Sequence, residues 1–311
     1  MSARLSLHVR MHFKEYYLRK RNPINYEKAV HKLFATASRW KTLDITYENP
    51  PFEGLTNILN LRFPILEEAR ITSSHNTDPY FISAYFSAPS LRKLHLYKVD
   101  LMWDIEDYPL PETLEELAII DQQHLFLTPI FDWAAILKAT PNLRKLVLQG
   151  AYTLFADGEE DWGAVEDFAL PFEKLETLVI RDTHLLHAAR ILAIIQGQNL
   201  KSLWLGLQIF DGDHSEEDMT EDLDELCGHV WVTPRFPNLQ TLSINPTISR
   251  LGMTLKPFLL SMPTTLQEFN ITDMFDIAKS PPAIHLSRLV ELLLDATIPE
   301  RFREIGTMSR A

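Results

Sequence analysis

The sequence has little of what several common classes of protein require. Cys227 is the single cysteine among 311 residues, so the chain can form no internal disulfide and holds no CxxC zinc motif. Only 10 glycines are present, and the glycine-rich phosphate-binding motifs of nucleotide enzymes do not occur. No apolar run approaches the roughly 18 residues that a membrane-spanning helix needs, and residues 1–13 lack the apolar centre of a secretory signal. These absences predict a protein of the cytoplasm or nucleus.

Sequence patterns of catalysis and metal binding are also missing. Neither HExxH nor GxSxG occurs, and the neighbours His184 and His187 have no third metal ligand at helical spacing. Residues 211–225 hold nine Asp or Glu, but Glu216 stands where a calcium-binding EF-hand loop needs glycine. We therefore predict no catalytic residue, no cofactor and no bound metal, and we expect that the chain is not an enzyme.

The chain is strongly acidic. Its formal net charge of −12 disfavours nucleic acid as the main partner, and no membrane partner is expected. Residues 211–225 form the most acidic stretch, with no Lys or Arg. They fit either a solvated loop or a docking segment for a basic protein. The sequence leaves both interpretations open.

The sequence does contain a short phrase, LxxLx[LI], that recurs along the whole chain and often follows a proline. Seven of the nine intervals between the first positions lie within the 20–29 residues typical of leucine-rich repeats. A single copy of this phrase would carry no information, whereas ten copies in one chain, three of them with Trp40, Ala69 or Phe269 in place of a leucine, are a strong signal. The first positions are Trp40, Leu66, Leu91, Leu114, Leu143, Leu175, Leu200, Leu239, Leu266 and Leu289.

The phrase predicts the fold, because alternate residues of a short strand face opposite sides. The inward Leu and Ile side chains of one repeat stack on those of the next, so the array shares one core. We predict an α/β leucine-rich-repeat solenoid, a curved horseshoe of about ten irregular repeats with a parallel sheet on its concave face and helices and loops on its convex face. A single domain over residues 1–311 is expected, with an N-terminal strand and helix in 1–39 and a C-terminal cap in 296–311.

The segments that return from one strand to the next show helical apolar spacing where they are long enough. We predict helices over residues 25–39, over 78–86, after Thr128 and over 185–196. The long interval at residues 207–238 must hold an insertion.

Four phrases resemble a known family: RLSLHV at residues 4–9, SRWKTLDI at 38–45, FPIL at 63–66 and APSLRKLHL at 88–96. Together they resemble the leucine-rich region of fungal F-box proteins, especially the large basidiomycete group, over nearly the whole chain. The resemblance implies that the repeats hold a protein substrate for an SCF ubiquitin ligase, in which the F-box binds Skp1. No F-box motif occurs here, so Skp1 is an expected partner only if an F-box precedes this chain in its parent protein. A scaffold or autonomous interaction protein unconnected with ubiquitin is the alternative.

The residue between the two inward positions of each repeat should face outward from the sheet. This column is mostly polar at its ends and apolar in its middle, and contiguous exposed apolar surface tends to mark a protein-binding site. The competing interpretation is that the insertion at residues 207–238 covers this surface. The predicted protein-binding residues, with Trp204 as the anchor, are Ala118, Ile120, Val147, Val179 and Trp204.

Overall fold

A computed structural model describes the chain over several ranges. The chain divides into two compact units, Met1–Gly158 and Glu159–Ala311. The described residues are 6–13, 32–47, 61–74, 81–82, 87–101, 110–120, 128–129, 138–150, 153–154, 170–184, 188, 191–192, 195–208, 236–244 and 265–271. The predicted cap at 296–311, the acidic residues 211–225 and most of the predicted insertion lie outside these ranges.

The first unit is organised around a parallel sheet in which the strands follow one another in chain order, β1-β2-β3-β5-β7-β9. Two short parallel pairs, β4 with β6 and β8 with β10, join the return segments of neighbouring repeats. Its described strands are β1 (Leu7–Phe13), β2 (Trp40–Tyr47), β3 (Glu68–Ser73), β4 (Phe81–Ile82), β5 (Lys93–Tyr97), β6 (Asp100–Leu101), β7 (Glu116–Ile120), β8 (Thr128–Pro129), β9 (Lys145–Gln149) and β10 (Thr153–Leu154).

The second unit repeats the arrangement with the parallel order β12-β14-β15-β16 and a short parallel pair of β11 with β13. Its described strands are β11 (Leu170–Pro171), β12 (Thr177–His184), β13 (Ile195–Gln196), β14 (Ser202–Gln208), β15 (Thr241–Ile244) and β16 (Glu268–Ile271).

The register of the sheet places equivalent positions of successive repeats side by side. Leu94 lies opposite Leu117, which in turn lies opposite Leu146, and all three are buried. In the second unit Leu178 and Leu203 are paired and buried in the same way. The predicted parallel sheet and its inward leucine rows are therefore confirmed in the described part of the chain, and open sheets of this kind fit an α/β solenoid.

Hydrogen-bonded turns precede the strands β3, β5, β7, β9, β14 and β15. The amide of a repeat's first leucine bonds to the carbonyl three residues earlier, as Leu91 does to Ala88 at 3.0 Å. The side chain just before the first leucine of a repeat donates a hydrogen bond to a carbonyl in the turn of the previous repeat. Because these donors recur at one position, they hold the turns of neighbouring repeats together. The side chain to carbonyl pairs are Ser90 to Pro64, Thr113 to Pro89, Asn142 to Glu112, Asn199 to Glu173, Asn238 to Gln198 and Thr265 to Pro237.

Trp40 occupies the first repeat position where the other repeats have leucine. Its ring is fully buried and packs against Phe63 with ring centres 5.6 Å apart. Its Nε1 donates a 2.9 Å hydrogen bond to the hydroxyl of Thr36, which itself donates to the Leu33 carbonyl at 2.6 Å. The larger ring is tolerated in the core because its polar atom has a partner.

The first predicted return helix is confirmed in part. Residues 32–34 are helical and a 3₁₀ helix covers Ala37–Arg39, which leads directly into β2. The helix predicted over 78–86 is wrong at Phe81–Ile82, because these residues form β4 and pair with β6. An extended return segment can bond sideways to the next repeat, which a helix cannot do.

The later return segments mix helix and strand in the same manner. Ala188 and residues 191–192 are helical, but Ile195–Gln196 form β13, so the helix predicted over 185–196 ends before its predicted boundary. Thr128–Pro129 form β8 and do not begin a helix. In the described part of the chain, no helix has the length and apolar character needed to span a membrane.

Candidate functional site

The face of each sheet opposite the buried leucine rows is called here the outward face. Along β5 the side chains alternate between buried and accessible, so Lys93, His95 and Tyr97 lie on this face. The register aligns His95 with Arg70 on one side and with Ala118 on the other. Strand alternation alone thus gathers charged, aromatic and apolar side chains on one surface of the first unit.

Three of the predicted protein-binding residues lie on the outward face of the first unit. Ala118 and Val147 are directly opposite each other on β7 and β9, and Ile120 lies two residues beyond Ala118. Ala118 is only 4% exposed, whereas Val147 and Ile120 are partly accessible. Tyr97, opposite Ile120, is one of the most exposed large apolar side chains of the described chain. The accessible apolar surface here comes from Tyr97, Ile120 and Val147.

The other two predicted residues, Val179 and Trp204, are direct neighbours on β12 and β14 of the second unit. Both are partly accessible, and the guanidinium carbon of Arg181 lies 3.7 Å from the centre of the Trp204 ring. This is a close cation–π contact. The prediction that all five residues form one patch spans both units and stays a prediction.

A bulge in β12 positions Arg181. Asp182 adopts a left-handed backbone with φ of 48°, and the pairing with β14 skips from Arg181 to Thr183. The buried Thr183 hydroxyl donates a 2.8 Å hydrogen bond to the Arg181 carbonyl. Gly206, which faces Arg181 across the sheet, has no side chain to compete for space. Burial lowers the pKa of Arg181, an effect that the Asp182 charge opposes.

The structure also brings together a charge cluster that the sequence interpretation missed. Glu116 accepts a 2.7 Å hydrogen bond from Lys145, and it lies 3.9 Å from the Lys93 ammonium and 3.4 Å from Nε2 of His95. The Glu116 carboxylate on β7 is thus surrounded by groups from the two neighbouring strands, β5 and β9. Among the described residues, the Nε2 atom of His95 is inaccessible to solvent and has no hydrogen-bond partner.

The two titratable groups of this cluster are shifted by identifiable causes. Burial opposes ionisation of Glu116, but the hydrogen bond and charge of Lys145, together with the charges of His95 and Lys93, outweigh it, so the pKa of Glu116 lies below its ordinary value. Burial lowers the pKa of His95. The negative charge of Glu116 opposes this decrease, and the positive charge of Arg70 adds to it. A neutral imidazole beside an ionised carboxylate is the favoured state at neutral pH.

A signal for this cluster is present in the sequence, at the two variable positions of each LxxL phrase. These read Glu-Glu at 67–68, Arg-Lys at 92–93, Glu-Glu at 115–116 and Arg-Lys at 144–145. Because strands of a sheet lie about 4.8 Å apart, a sign that alternates from repeat to repeat places opposite charges side by side. Arg92 and Glu115 form such a pair at 3.1 Å. The alternating sign of charge in successive phrases is therefore the sequence signal for the cluster around Glu116.

Metal binding finds no support in the described ranges, where no group of three or more His, Cys, Asp or Glu side chains could hold an ion.

Comparisons with known proteins do not assign the chain to a family. No family model matches the sequence, and no curated protein matches it either. A crystal structure of a protein from Bacteroides fragilis aligns with 80% of this chain at 14% identity and a TM-score of 0.33. This chain spans 56% of that protein's length.

Proposed function

We propose that this chain is a leucine-rich-repeat protein that binds another protein through the outward face of its parallel sheet and does not catalyse a reaction. In finer terms, about ten irregular repeats curve into a horseshoe, with the outward face on its concave side. The regular register supports this proposal, because it collects side chains that are far apart in sequence on one surface. Repeat proteins bind partners through extended surfaces of this kind.

The observation that carries the proposal is the stack of Arg181 on Trp204 beside Val179. Trp and Arg are over-represented among the residues that dominate binding energy at protein interfaces. Here both stand on paired strands, so a partner would bind a ring whose position is largely fixed beforehand, and little conformational entropy is lost. In the first unit, Ile120 and Val147 supply accessible apolar surface of the same kind.

The finer proposal is substrate recognition as in fungal F-box proteins of SCF ubiquitin ligases, acting in the cytoplasm or nucleus. Its support is the resemblance of the repeat phrases, and a contact with Skp1 applies only if an F-box precedes this chain in its parent protein. The second candidate is a scaffold or autonomous interaction protein that acts without ubiquitin. Recovery of Skp1 and a cullin with the parent protein would favour the first candidate, and their absence would favour the second.

Quantitative affinity purification from native cells tests the binding proposal. Four baits are compared: wild type, Trp204→Ala, Val147→Glu and the control Lys138→Ala, whose side chain is exposed before the turn that leads into β9. All four must be folded, as a cooperative unfolding transition for each would show. At least one protein recovered with wild type and control should fall about tenfold with Trp204→Ala or Val147→Glu. Equal recovery with all four baits would contradict binding through the outward face.

A further inference from the structure

We propose that the outward face of the first unit recognises an acidic segment of a partner protein, one in which Asp or Glu side chains stand next to apolar ones. The inference rests on the proposed protein-binding function and specifies the chemistry of the partner. It rests on a difference in solvent exposure between the cationic and the carboxylate side chains of the ion pairs on the outward face.

The cations of these ion pairs are accessible, whereas their carboxylate partners are partly covered. The side chains of Lys93 and Lys145 are 51% and 46% exposed, but that of Glu116, which lies between them, is 16% exposed. At the edge of the sheet, Arg10 is 83% exposed and its partner Asp44 is 26% exposed. A molecule approaching the face would therefore meet ammonium and guanidinium groups first, although the paired charges nearly cancel in number.

Of the next two ion pairs along the sheet, one follows the same trend and the other does not. Arg92 is more exposed than its partner Glu115, whereas Lys41 is slightly less exposed than Glu67. The asymmetry is therefore present on β5, β7 and β9 and at the β1 edge, and it is absent at the pair of Lys41 and Glu67. A chain with a formal net charge of −12 thus presents cations over this part of its surface.

Arg70 adds a positive charge that forms no ion pair with a carboxylate within the described ranges. It is exposed on β3, directly between Asp44 and His95 in the register. The carboxylate of Asp44 already accepts the Nε hydrogen bond of Arg10 at 2.8 Å. The guanidinium of Arg70 can therefore form a bidentate pair with a carboxylate of a partner.

Apolar side chains beside these cations favour a protein segment over a nucleic acid. Tyr97, Ile120 and Val147 are accessible on the same face as Lys93 and Lys145. Val147 lies two residues beyond Lys145 on β9, and Tyr97 and Ile120 lie opposite each other, four residues beyond the row of Lys93 and Lys145. Single-stranded nucleic acids are bound on several stacking aromatic rings, and Tyr97 is the one Tyr, Trp or Phe on the outward face among the described residues of β2 to β9. An acidic segment with apolar side chains matches both the charges and the apolar neighbours.

Selection from a display library of random peptides tests the proposal, because such a library samples every side-chain chemistry and the partner need not be identified first. The library is panned on wild type, on Arg70→Glu and on the matched control Lys138→Glu, which makes the same charge change away from the face. Because Arg70 is exposed and has no ion pair within the described ranges, its reversal should leave the chain folded, although the new carboxylate lies opposite Asp44. A cooperative unfolding transition of the variant would verify that it is folded. Wild type and control should enrich peptides rich in Asp, Glu and apolar residues. Purified peptides should bind Arg70→Glu about tenfold more weakly, and added salt should weaken their binding to wild type.

The results separate this inference from the binding function on which it rests. Enriched peptides without an acidic bias that are lost with Val147→Glu would overturn the acidic partner and keep the proposed function. Peptides that bind all variants equally, or no enrichment over the bare support, would count against both. Mixed-sequence single-stranded RNA that displaces the peptides and binds wild type but not Arg70→Glu would overturn the inference in favour of a nucleic-acid site.

Discussion

Lys98 and Gly150 occupy the same position in two repeats and share a left-handed backbone, with φ of 53° and 62°. Each residue comes two positions after the last inward leucine of its strand, where the chain leaves the sheet. Asp182 stands at the same position in the second unit and has φ of 48°. At these three positions the chain adopts a conformation that glycine adopts freely and that costs a lysine or an aspartate about 1 kcal/mol.

Substitutions at these two equivalent positions should have opposite effects on stability. Gly150→Ala should lower the free energy of unfolding by about 1 kcal/mol, because alanine is strained at positive φ. Lys98→Gly should raise it by about 0.5 kcal/mol, since relief of strain is partly offset by the greater freedom of glycine in the unfolded chain. Urea denaturation measures both. A stabilising Gly150→Ala would show that the left-handed turn is not required.

The stability of the first unit should depend on pH through His95. Because the pKa of His95 lies below its ordinary value of 6.5, the unfolded chain takes up this proton more readily than the folded chain. The contribution of His95 is thus fully present above pH 6.5 and is lost as pH falls from 6.5 towards the lowered pKa. His95→Gln should reduce the fall in urea midpoint between about pH 7.5 and about pH 5.

The matched control for this experiment is Thr72→Gln, on the outward face of the neighbouring strand, which introduces glutamine without removing a titratable group. It should keep the wild-type pH dependence. An identical pH dependence for wild type and His95→Gln would mean that burial does not perturb the imidazole. At lower pH the depressed pKa of Glu116 acts in the same direction, because its contribution is present above pH 4.5 and is lost as pH falls below that value.

The side-chain hydrogen bonds that join the turns of successive repeats can be tested at Asn142, whose side chain donates a 2.7 Å hydrogen bond to the Glu112 carbonyl. Asn142→Ala removes the donor and should lower the free energy of unfolding by about 1 kcal/mol. Glu112→Ala is the control: the acceptor is a main-chain carbonyl, so this variant should stay within about 0.5 kcal/mol of wild type. An equal decrease in the free energy of unfolding of the two variants would indicate that the Glu112 side chain, and not the hydrogen bond of Asn142, stabilises the turn.

The sequence predicted the strands better than the segments between them. A strand such as β5 is specified by two inward leucines at fixed spacing, because a shift by one residue would expose both. The return segment at Phe81–Ile82 has apolar residues that fit either a helix or an extended chain, and it forms a strand because a neighbouring segment is available for pairing. That choice depends on the adjacent repeat, which periodicity within one segment does not reveal.

The same limit applies to the outward face. The alternation of inward and outward residues in the sequence predicted the side of the strand on which Val147 and Trp204 lie, since this prediction needs only the two-residue period of a strand. It did not predict that Arg181 would cover the Trp204 ring, because Arg181 adjoins a bulge in β12 that the period of two does not reveal. It also missed the cluster around Glu116, whose members come from three repeats and meet through the register alone.

A pair of adjacent substitutions tests the register on which the outward face depends. Leu146 is fully buried and Val147, the next residue, is partly accessible on the opposite side of β9. Leu146→Asp places a charge in the core and should cost about 3 kcal/mol or more, enough to abolish the cooperative unfolding transition of a marginally stable unit. Val147→Asp, the same chemical change one residue later, should cost about 1 kcal/mol, because the new carboxylate reaches solvent. Circular dichroism and urea denaturation of the two variants measure the difference. Similar losses would indicate that both sides of β9 are buried, in which case a partner could not reach Val147 and the outward face would have to be covered by the chain itself.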